Sequence, residues 1–501
     1  MAAVLAVASI PLLMVLVPPT ADIVNHLARL HILARIGDSE DLSRLYAVRW
    51  QFTPYMGMDA LGLLLAKLVP IFWVGRVLVV LIWALFLLGA VLLHRAFFGR
   101  LSAWPLLAGL FLYSYPLHMG FLPYLLSAAL AVIGFALWVQ GERGPAWRRV
   151  AIAAAMALAV YLTHYAGLVA LGLCCAVHEL VQGWRSRSAL GRRVILLGLP
   201  FVLPLVLALA VAGDAQPGAT TYDPWRRHLS GLISATLFPG SRFDLAILGF
   251  AAAGLAVGVA TRRLAVAPEA ALAASGMMLA TLLLPGAPMG LWGMQFRLPV
   301  VAAVVLAAGI RPVRPGWPET ASAVLAGLLF LGHVATIGAA WGPINAQYRE
   351  MRDAMAQLPR GSRVLSFVAE GRSDPAIMRG PIFSWLHMPA LAVIERDAFY
   401  PNLHKQPMMT VHATALTAPI SPHEAPPITD RSLWTGLATT IGGVARSRTD
   451  AAGRVAYWVD WPRHYDMAIG LHFGAMPLLP PGLVPVHHGS FFTVYRVMRP
   501  Q

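Results

Sequence analysis

Eleven apolar runs lie along the first two-thirds of this chain, near residues 3–18, 77–93, 103–115, 121–139, 150–163, 165–181, 194–212, 245–260, 269–285, 298–310 and 320–341. In hydrocarbon, a segment can satisfy its own backbone polar groups only as a helix or within a closed barrel, and runs this long and unalternating read as helices. The pattern therefore restricts residues 1–342 to a bundle of about eleven transmembrane helices. Composition agrees, with 58% hydrophobic and 12% charged residues, about half of the ~25% charge usual in soluble domains. A soluble globular enzyme, a disordered chain and a disulfide scaffold are excluded. The two cysteines, Cys174 and Cys175, are adjacent inside an apolar run and poorly placed to bridge each other. The first run lacks a basic leader and is followed by Pro18-Pro19, so it reads as a span and not a cleaved signal. The run 57–72 contains Asp59, Lys67 and Pro70 and reads as an interfacial or re-entrant helix.

Charge orients the bundle. With the N-terminus inside, the inner loops carry Arg95 and Arg100, Arg143, Arg148 and Arg149, Arg185, Arg187, Arg192 and Arg193, Arg262 and Arg263, and Arg311 and Arg314. The short outer loops carry only Arg226, Arg227, Arg242 and Arg297. This positive-inside bias accounts for much of the net charge of +15, so no nucleic-acid partner is implied. An odd number of spans then places the C-terminal region outside, in the periplasm of a bacterial inner membrane. Charge density also marks a boundary, rising from about one residue in ten over 1–342 to about one in six over 343–501. We read 1–342 as the membrane domain, with a long first periplasmic loop at 19–76 holding interfacial helices, and 343–501 as a periplasmic α/β domain. In the latter, 344–357 has helical periodicity ended by Pro359-Arg360-Gly361, strands are predicted at 363–368, 455–459, 466–471 and 491–497, and the Pro- and His-rich 401–430 reads as loop.

Candidate chemistry lies on the outer side, where polar residues are few. After Pro18-Pro19-Thr20-Ala21 comes Asp22, followed by Asn25, His26 and Arg29 at i+3, i+4 and i+7, one face of a helix. A carboxylate there suits a general base, and His and Arg beside it suit an anionic phosphate. The competing explanation is that Asp22 caps a helix and the rest form a solvated face. His118 and His164 sit at outer helix hairpins, where a histidine is commonly only interfacial. Arg297 follows Trp292-Gly293-Met294-Gln295-Phe296 at a span edge, where it either snorkels or binds an anion. Arg226 follows Tyr222-Asp223-Pro224-Trp225 and is either a surface charge or a substrate contact. No Walker loop or GxSxG is present, and His487-His488 and the other C-terminal histidines lack zinc spacing. No Asp-x-Asp pair follows the first span, so a divalent metal is not indicated.

An acid directly after span one, a long outer loop, about eleven spans and a C-terminal outer domain resemble the GT-C superfamily of membrane glycosyltransferases. The segment ADIVNHLARLHIL is also similar to the Asp-x-Pro-Asn-His-Leu-Ala-Arg opening of a group of bacterial membrane proteins, with Val24 in place of the Pro. Met58-Asp59, Phe296-Arg297-Leu298-Pro299, ERDAFYPNL at 395–403, Tyr465-Asp466 and the Phe491-to-Arg496 strand echo the same group. The resemblance implies inverting transfer of a sugar from a polyprenyl-phosphate donor to a glycan, lipid or protein acceptor. Asp22 matches the first-loop acid and would be the base. Arg297, with His26, Arg29 or His164, would neutralise the leaving phosphate, and Asp59 is a candidate second carboxylate. A transporter would carry ionisable residues within its spans, which are nearly free of them here apart from His178 and Glu179 toward an inner end. A non-catalytic assembly or sensor protein with a periplasmic binding domain is the other alternative.

Overall fold

The computed structural model describes all residues except 49, 51, 187–189, 213–219, 240, 289–290, 314–315, 370–381, 404–411, 414–419, 422–427, 430–437, 440–444, 447–454, 473–478 and 500–501. Arg187, Arg314 and most of the loop expected at 401–430 thus lie outside the described residues. The chain forms two compact units. One comprises Met1–Met14, Phe52–Met58 and Val77–Ala340, and the other Val15–Gln51, Asp59–Arg76 and Trp341–Gln501.

The first unit is helical. Among the described residues, six helices are long and apolar enough to cross a membrane: Ile71–Phe98, Leu122–Gly141, Ala146–Thr163, Tyr165–Ser186, Gly191–Ala210 and Trp317–Met355. The helices Ala2–Met14, Met56–Ala66, Asp244–Ala260, Pro268–Leu283 and the segment Met294–Ala308 are apolar but shorter. The expected span at 103–115 departs furthest from a crossing helix. Residues 103–115 contain only the 3-10 helix Trp104–Phe111, which at ~2.0 Å per residue falls well short of a ~30 Å hydrocarbon core. Pro105 opens that helix, and Ser114 followed by Pro116 starts a separate short turn, Tyr115–His118.

Several ionisable residues at one end of the bundle are paired with one another. Glu179 accepts from Arg149 at 2.6 Å, from Trp138 Nε1 at 2.9 Å and from Arg193 at 2.8 Å. Arg149 also stacks on the Trp138 ring at 3.7 Å. This network engages Glu179, the carboxylate that the sequence places toward the inner end of a span.

The second unit combines helices with a five-stranded sheet. Its strands are β1 (Val364–Val368), β2 (Ile428–Thr429), β3 (Met467–Leu471), β4 (Leu483–His488) and β5 (Phe492–Val497). They lie in the order β4-β5-β3-β1-β2. β3 is parallel to β1 and antiparallel to β5, with Ile469 opposite Ser366 and Val494. All five residues of β1 and of β3 are buried, as central strands covered on both faces must be. The strands expected at 363–368, 466–471 and 491–497 are therefore present. The one expected at 455–459 shrinks to Val455–Ala456, and β4 was not anticipated because its Pro485 and His487-His488 do not read as a strand. Pro485 is compatible with that position because β4 is the sheet edge and a register shift follows it.

Two further differences concern the chain between these elements. The span expected at 320–341 and the helix expected at 344–357 are one 39-residue helix, Trp317–Met355, with Pro343 inside. Most of 19–76, read as a loop of the membrane domain, packs in the same unit as 341–501, within the stretches 15–51 and 59–76. The helix Ile23–Arg35 is the reason. It buries Ile23, Val24, Leu27, Leu30 and Ile32 and packs on Met388–Ala390 and Leu391–Arg396, and at ~1.5–3 kcal/mol per buried side chain that burial strongly favours docking over solvation.

Candidate active site

In the second unit the site is built on the first turn of Ile23–Arg35. Asp22 occupies the N-cap position, and its carbonyl accepts the His26 N–H at 3.0 Å, but its carboxylate makes no capping hydrogen bond. The carboxylate instead lies 3.6 Å from His387 Nε2. The other ring nitrogen, His387 Nδ1, is 2.9 Å from the Asn25 amide nitrogen, and that amide also donates to Asn402 O at 2.9 Å. An amide NH₂ only donates, so Nδ1 is the acceptor and a neutral His387 carries its proton on Nε2, toward Asp22. Asn25 is fully buried and Asp22 is one-sixth exposed.

The segment 395–403 fastens this helix. Asp397, in the left-handed conformation at φ 52°, accepts from His31 Nε2 at 2.8 Å and from Ser39 Oγ at 3.0 Å, and pairs with Arg360. Burial raises the Asp397 carboxyl, but the His31 and Ser39 hydrogen bonds outweigh it and hold the group below the ordinary carboxylate range. Burial keeps the His31 ring below its ordinary value against the opposing pull of Asp397, so the pair is a neutral imidazole donating to a carboxylate. Tyr46 Oη donates to Ala398 O at 3.0 Å and accepts the Tyr400 N–H at 2.9 Å. The two sequence echoes, ADIVNHLAR and ERDAFYPNL, are thus bonded to each other, and His387, Asn402 and Asp397 were not singled out from the sequence because their partners lie more than 350 residues away.

Arg29 and Asp59, assigned separate roles from the sequence, are each other's partners. Arg29 Nη2 lies 2.6 Å from Asp59 Oδ2, and the Arg29 side chain is 1% exposed. His26 is buried on the same helix.

The first unit gathers another set. His164 separates Ala146–Thr163 from Tyr165–Ser186, and its Nδ1 accepts the Ala166 N–H at 3.0 Å. Its Nε2 is 3.3 Å from Tyr55 Oη, and its ring meets Tyr55 and Tyr124 edge-on at 5.0 and 5.7 Å. Tyr55 has φ 83°, a backbone conformation that costs an aromatic residue energy and is commonly found where function demands it. Ser127 fixes the His164 carbonyl at 2.6 Å. That approach needs Gly167, where an added Cβ would sit 2.0 Å from Ser127 Oγ.

Arg297 is 4% exposed. Its guanidinium lies 4.3 Å over Phe121 and 5.6 Å over Tyr124, its Nη1 donates to Trp292 O, and Tyr124 Oη donates to the Arg297 carbonyl. Tyr124 therefore touches both His164 and Arg297. His118 is not in this contact set. It packs against Tyr115 and Phe238 at 6.0 and 5.5 Å, and its Nε2 is buried without a hydrogen-bond partner among the described residues. Arg226 is exposed in Trp225–Leu232. Among the described residues no three His, Cys, Asp or Glu side chains gather as a metal site.

Comparison with solved structures bears on the fold. ArnT from Cupriavidus metallidurans bound to undecaprenyl phosphate aligns with a TM-score of 0.53 at 14% identity, over 100% of this chain and 98% of that one. The chain has an ArnT-like fold. The apo state of the same protein aligns with a TM-score of 0.49 at 15% identity, again over 100% and 98%. No protein-family model matches the chain, and no curated protein matches it by sequence. ArnT is a GT-C glycosyltransferase, so the resemblance to that superfamily is borne out as likeness of fold. The ArnT-like fold and the six long apolar helices together make this a membrane protein with a small C-terminal sheet domain.

Proposed function

We propose that the chain is a membrane glycosyltransferase that moves a sugar from a polyprenyl-phosphate donor to a periplasmic or lipid-linked acceptor. The observation that carries this reading is the end-to-end likeness to a structure bound to undecaprenyl phosphate. It is supported by a carboxylate placed where a helix begins yet not used to cap it. In the proposed reaction Asp22 takes the proton of the acceptor hydroxyl. The hydroxyl oxygen bonds to the anomeric carbon as the bond to the phosphate oxygen breaks, with inversion, and polyprenyl phosphate leaves with the bonding electrons. His387 is a positioning residue that directs Nε2–H at Asp22 and keeps it ionised. Arg297, with His164 as a neighbouring contact, meets the charge growing on the phosphate. Arg29 and Asp59, already committed to each other, hold the Asp22 helix and are proposed as structural, as are His26 and His118 by their packing. Arg226 is proposed as an outer-loop contact for the acceptor. No metal is assigned a role.

The functional test needs no knowledge of the sugar. Undecaprenyl phosphate, the leaving product, should raise the unfolding temperature of the purified full chain, since any ligand of the native state stabilises it. Incubation with polyprenyl-phosphate-linked sugars and envelope acceptors should release undecaprenyl phosphate. A protein that neither gains thermal stability from this lipid nor consumes any lipid-linked sugar is not this enzyme.

The proposed topology has about eleven crossings, with 103–115 counted as one by its apolar run although its 3-10 helix alone is short, the N-terminus in the cytoplasm and 343–501 in the periplasm of the bacterial inner membrane, with 1–342 as the membrane domain. Reporter fusions at Gly191 and at the C-terminus should report opposite sides. Two cytoplasmic reporters would overturn this orientation.

A further inference from the structure

We propose that the first unit carries a second binding site, independent of the transfer reaction, for the phosphate of an anionic phospholipid headgroup. It is a cavity of about 840 Å³ at the arginine-rich end of the helical bundle. The ends of Ile71–Phe98, Leu122–Gly141 and Tyr165–Ser186, the start of Pro268–Leu283, and the two-stranded ribbon of Leu264–Val266 with Ile310–Pro312 enclose it.

Its charge is unbalanced. Arg95, Arg143, Arg185 and Arg311 line it, against Glu142 and Glu269. Both acids are already engaged. Glu269 accepts from Arg185 at 2.7 Å and from Gln182 at 3.1 Å, and Glu142 meets Arg193 and His178, each at 3.1 Å. Among the described residues Arg95, Arg143 and Arg311 make no ion pair. Arg311 lies 5.2 Å over the Phe98 ring, and its Nε is buried without a hydrogen-bond partner among the described residues. A donor stripped of water and left unmade is costly, and an acceptor oxygen in the cavity would relieve it.

Three guanidinium groups in one polar cavity select a phosphate, which they bind with charge-assisted and often bidentate hydrogen bonds. The cavity's place selects a lipid. It lies where apolar spans give way to arginines, which is the depth of headgroups, and basic pockets between helices at that depth take acidic headgroups. The same end of Tyr165–Ser186 exposes Leu180 and Trp184, 59% and 88% accessible, as apolar surface for an acyl chain.

The test is binding of dioctanoyl phosphatidylglycerol to the detergent-solubilised full chain, followed by native mass spectrometry. Dioctanoyl phosphatidylcholine and inorganic phosphate serve as comparisons. Phosphatidylglycerol should bind more tightly than either. R95Q/R143Q/R311Q should weaken it by about a hundredfold, each arginine near a membrane surface being worth about fivefold. R143Q alone, at an exposed position that does not threaten folding, should lose about fivefold. Removing equal charge outside the cavity, in R100Q/R148Q/R262Q, should leave binding close to wild type. Equal loss in that control, or no preference over phosphatidylcholine, would overturn the site. Inorganic phosphate binding as tightly as the lipid, with the same dependence on the arginines, would overturn the lipid as its ligand.

Discussion

Asp22→Asn is expected to slow sugar transfer by about 10²–10⁴-fold while leaving the unfolding temperature and the affinity for undecaprenyl phosphate nearly unchanged. The substitution keeps size and hydrogen-bonding capacity and removes only the proton acceptor. The stability half of the expectation is firm on two grounds. Asn caps a helix as well as Asp does, and the Asp22 carboxylate makes no capping bond to lose. A companion substitution, His387→Gln, separates positioning from mere packing. Without Nε2–H facing Asp22, ionised Asp22 loses a stabilising partner and its pKa rises, so the acid limb of the rate profile should move to higher pH. A purely structural His387 would lower activity at all pH values alike. Near-normal transfer by Asp22→Asn in a defined donor–acceptor assay would remove Asp22 from catalysis, and an unmoved acid limb would remove His387 from its proposed role.

Arg297→Ala is expected to weaken undecaprenyl phosphate binding and also to slow transfer, the second by about 10²–10³-fold. Charge on the leaving phosphate grows toward the transition state, so a group that meets it contributes more there than in the bound donor. Arg297→Lys should recover only part of the loss, because an ammonium is a point charge without the planar fork. The structure sharpens this comparison. Arg297 is 4% exposed and stacked over Phe121 at 4.3 Å, whereas a snorkelling arginine would keep its head in water. Full activity in Arg297→Lys would mean that a point charge suffices and that the bidentate contact is not made. Full activity in Arg297→Ala would end the phosphate assignment.

Some of the candidate site was legible in the sequence and some was not, and the difference is physical. Asp22 stood out because acids are rare at the end of an apolar span, and Arg297 because the positive-inside bias avoids its side. His387 gave no such signal, since a histidine beside Met388-Pro389 in a mixed segment is unremarkable until Asn25 and Asp22 are seen around it. Arg29 and Asp59 show the opposite case. Each alone suggests chemistry, and only their 2.6 Å contact shows that they serve each other first.

The same division runs through the fold. Apolar runs, arginine-bearing loops and the alternation in 363–368, 466–471 and 491–497 determined by themselves that this is a helical membrane protein with a mixed C-terminal domain. These signals are local: a residue's hydropathy and its near neighbours decide whether it leaves water as a helix or a strand. Tertiary structure alone decided that Ile23–Arg35 belongs with 341–501, that Pro343 is absorbed within one long helix, and that ERDAFYPNL grips the helix carrying Asp22. Those outcomes depend on which buried faces and hydrogen-bonding groups find each other across hundreds of residues. Such pairings follow from the net burial and satisfaction of the whole chain, which no local window of sequence contains.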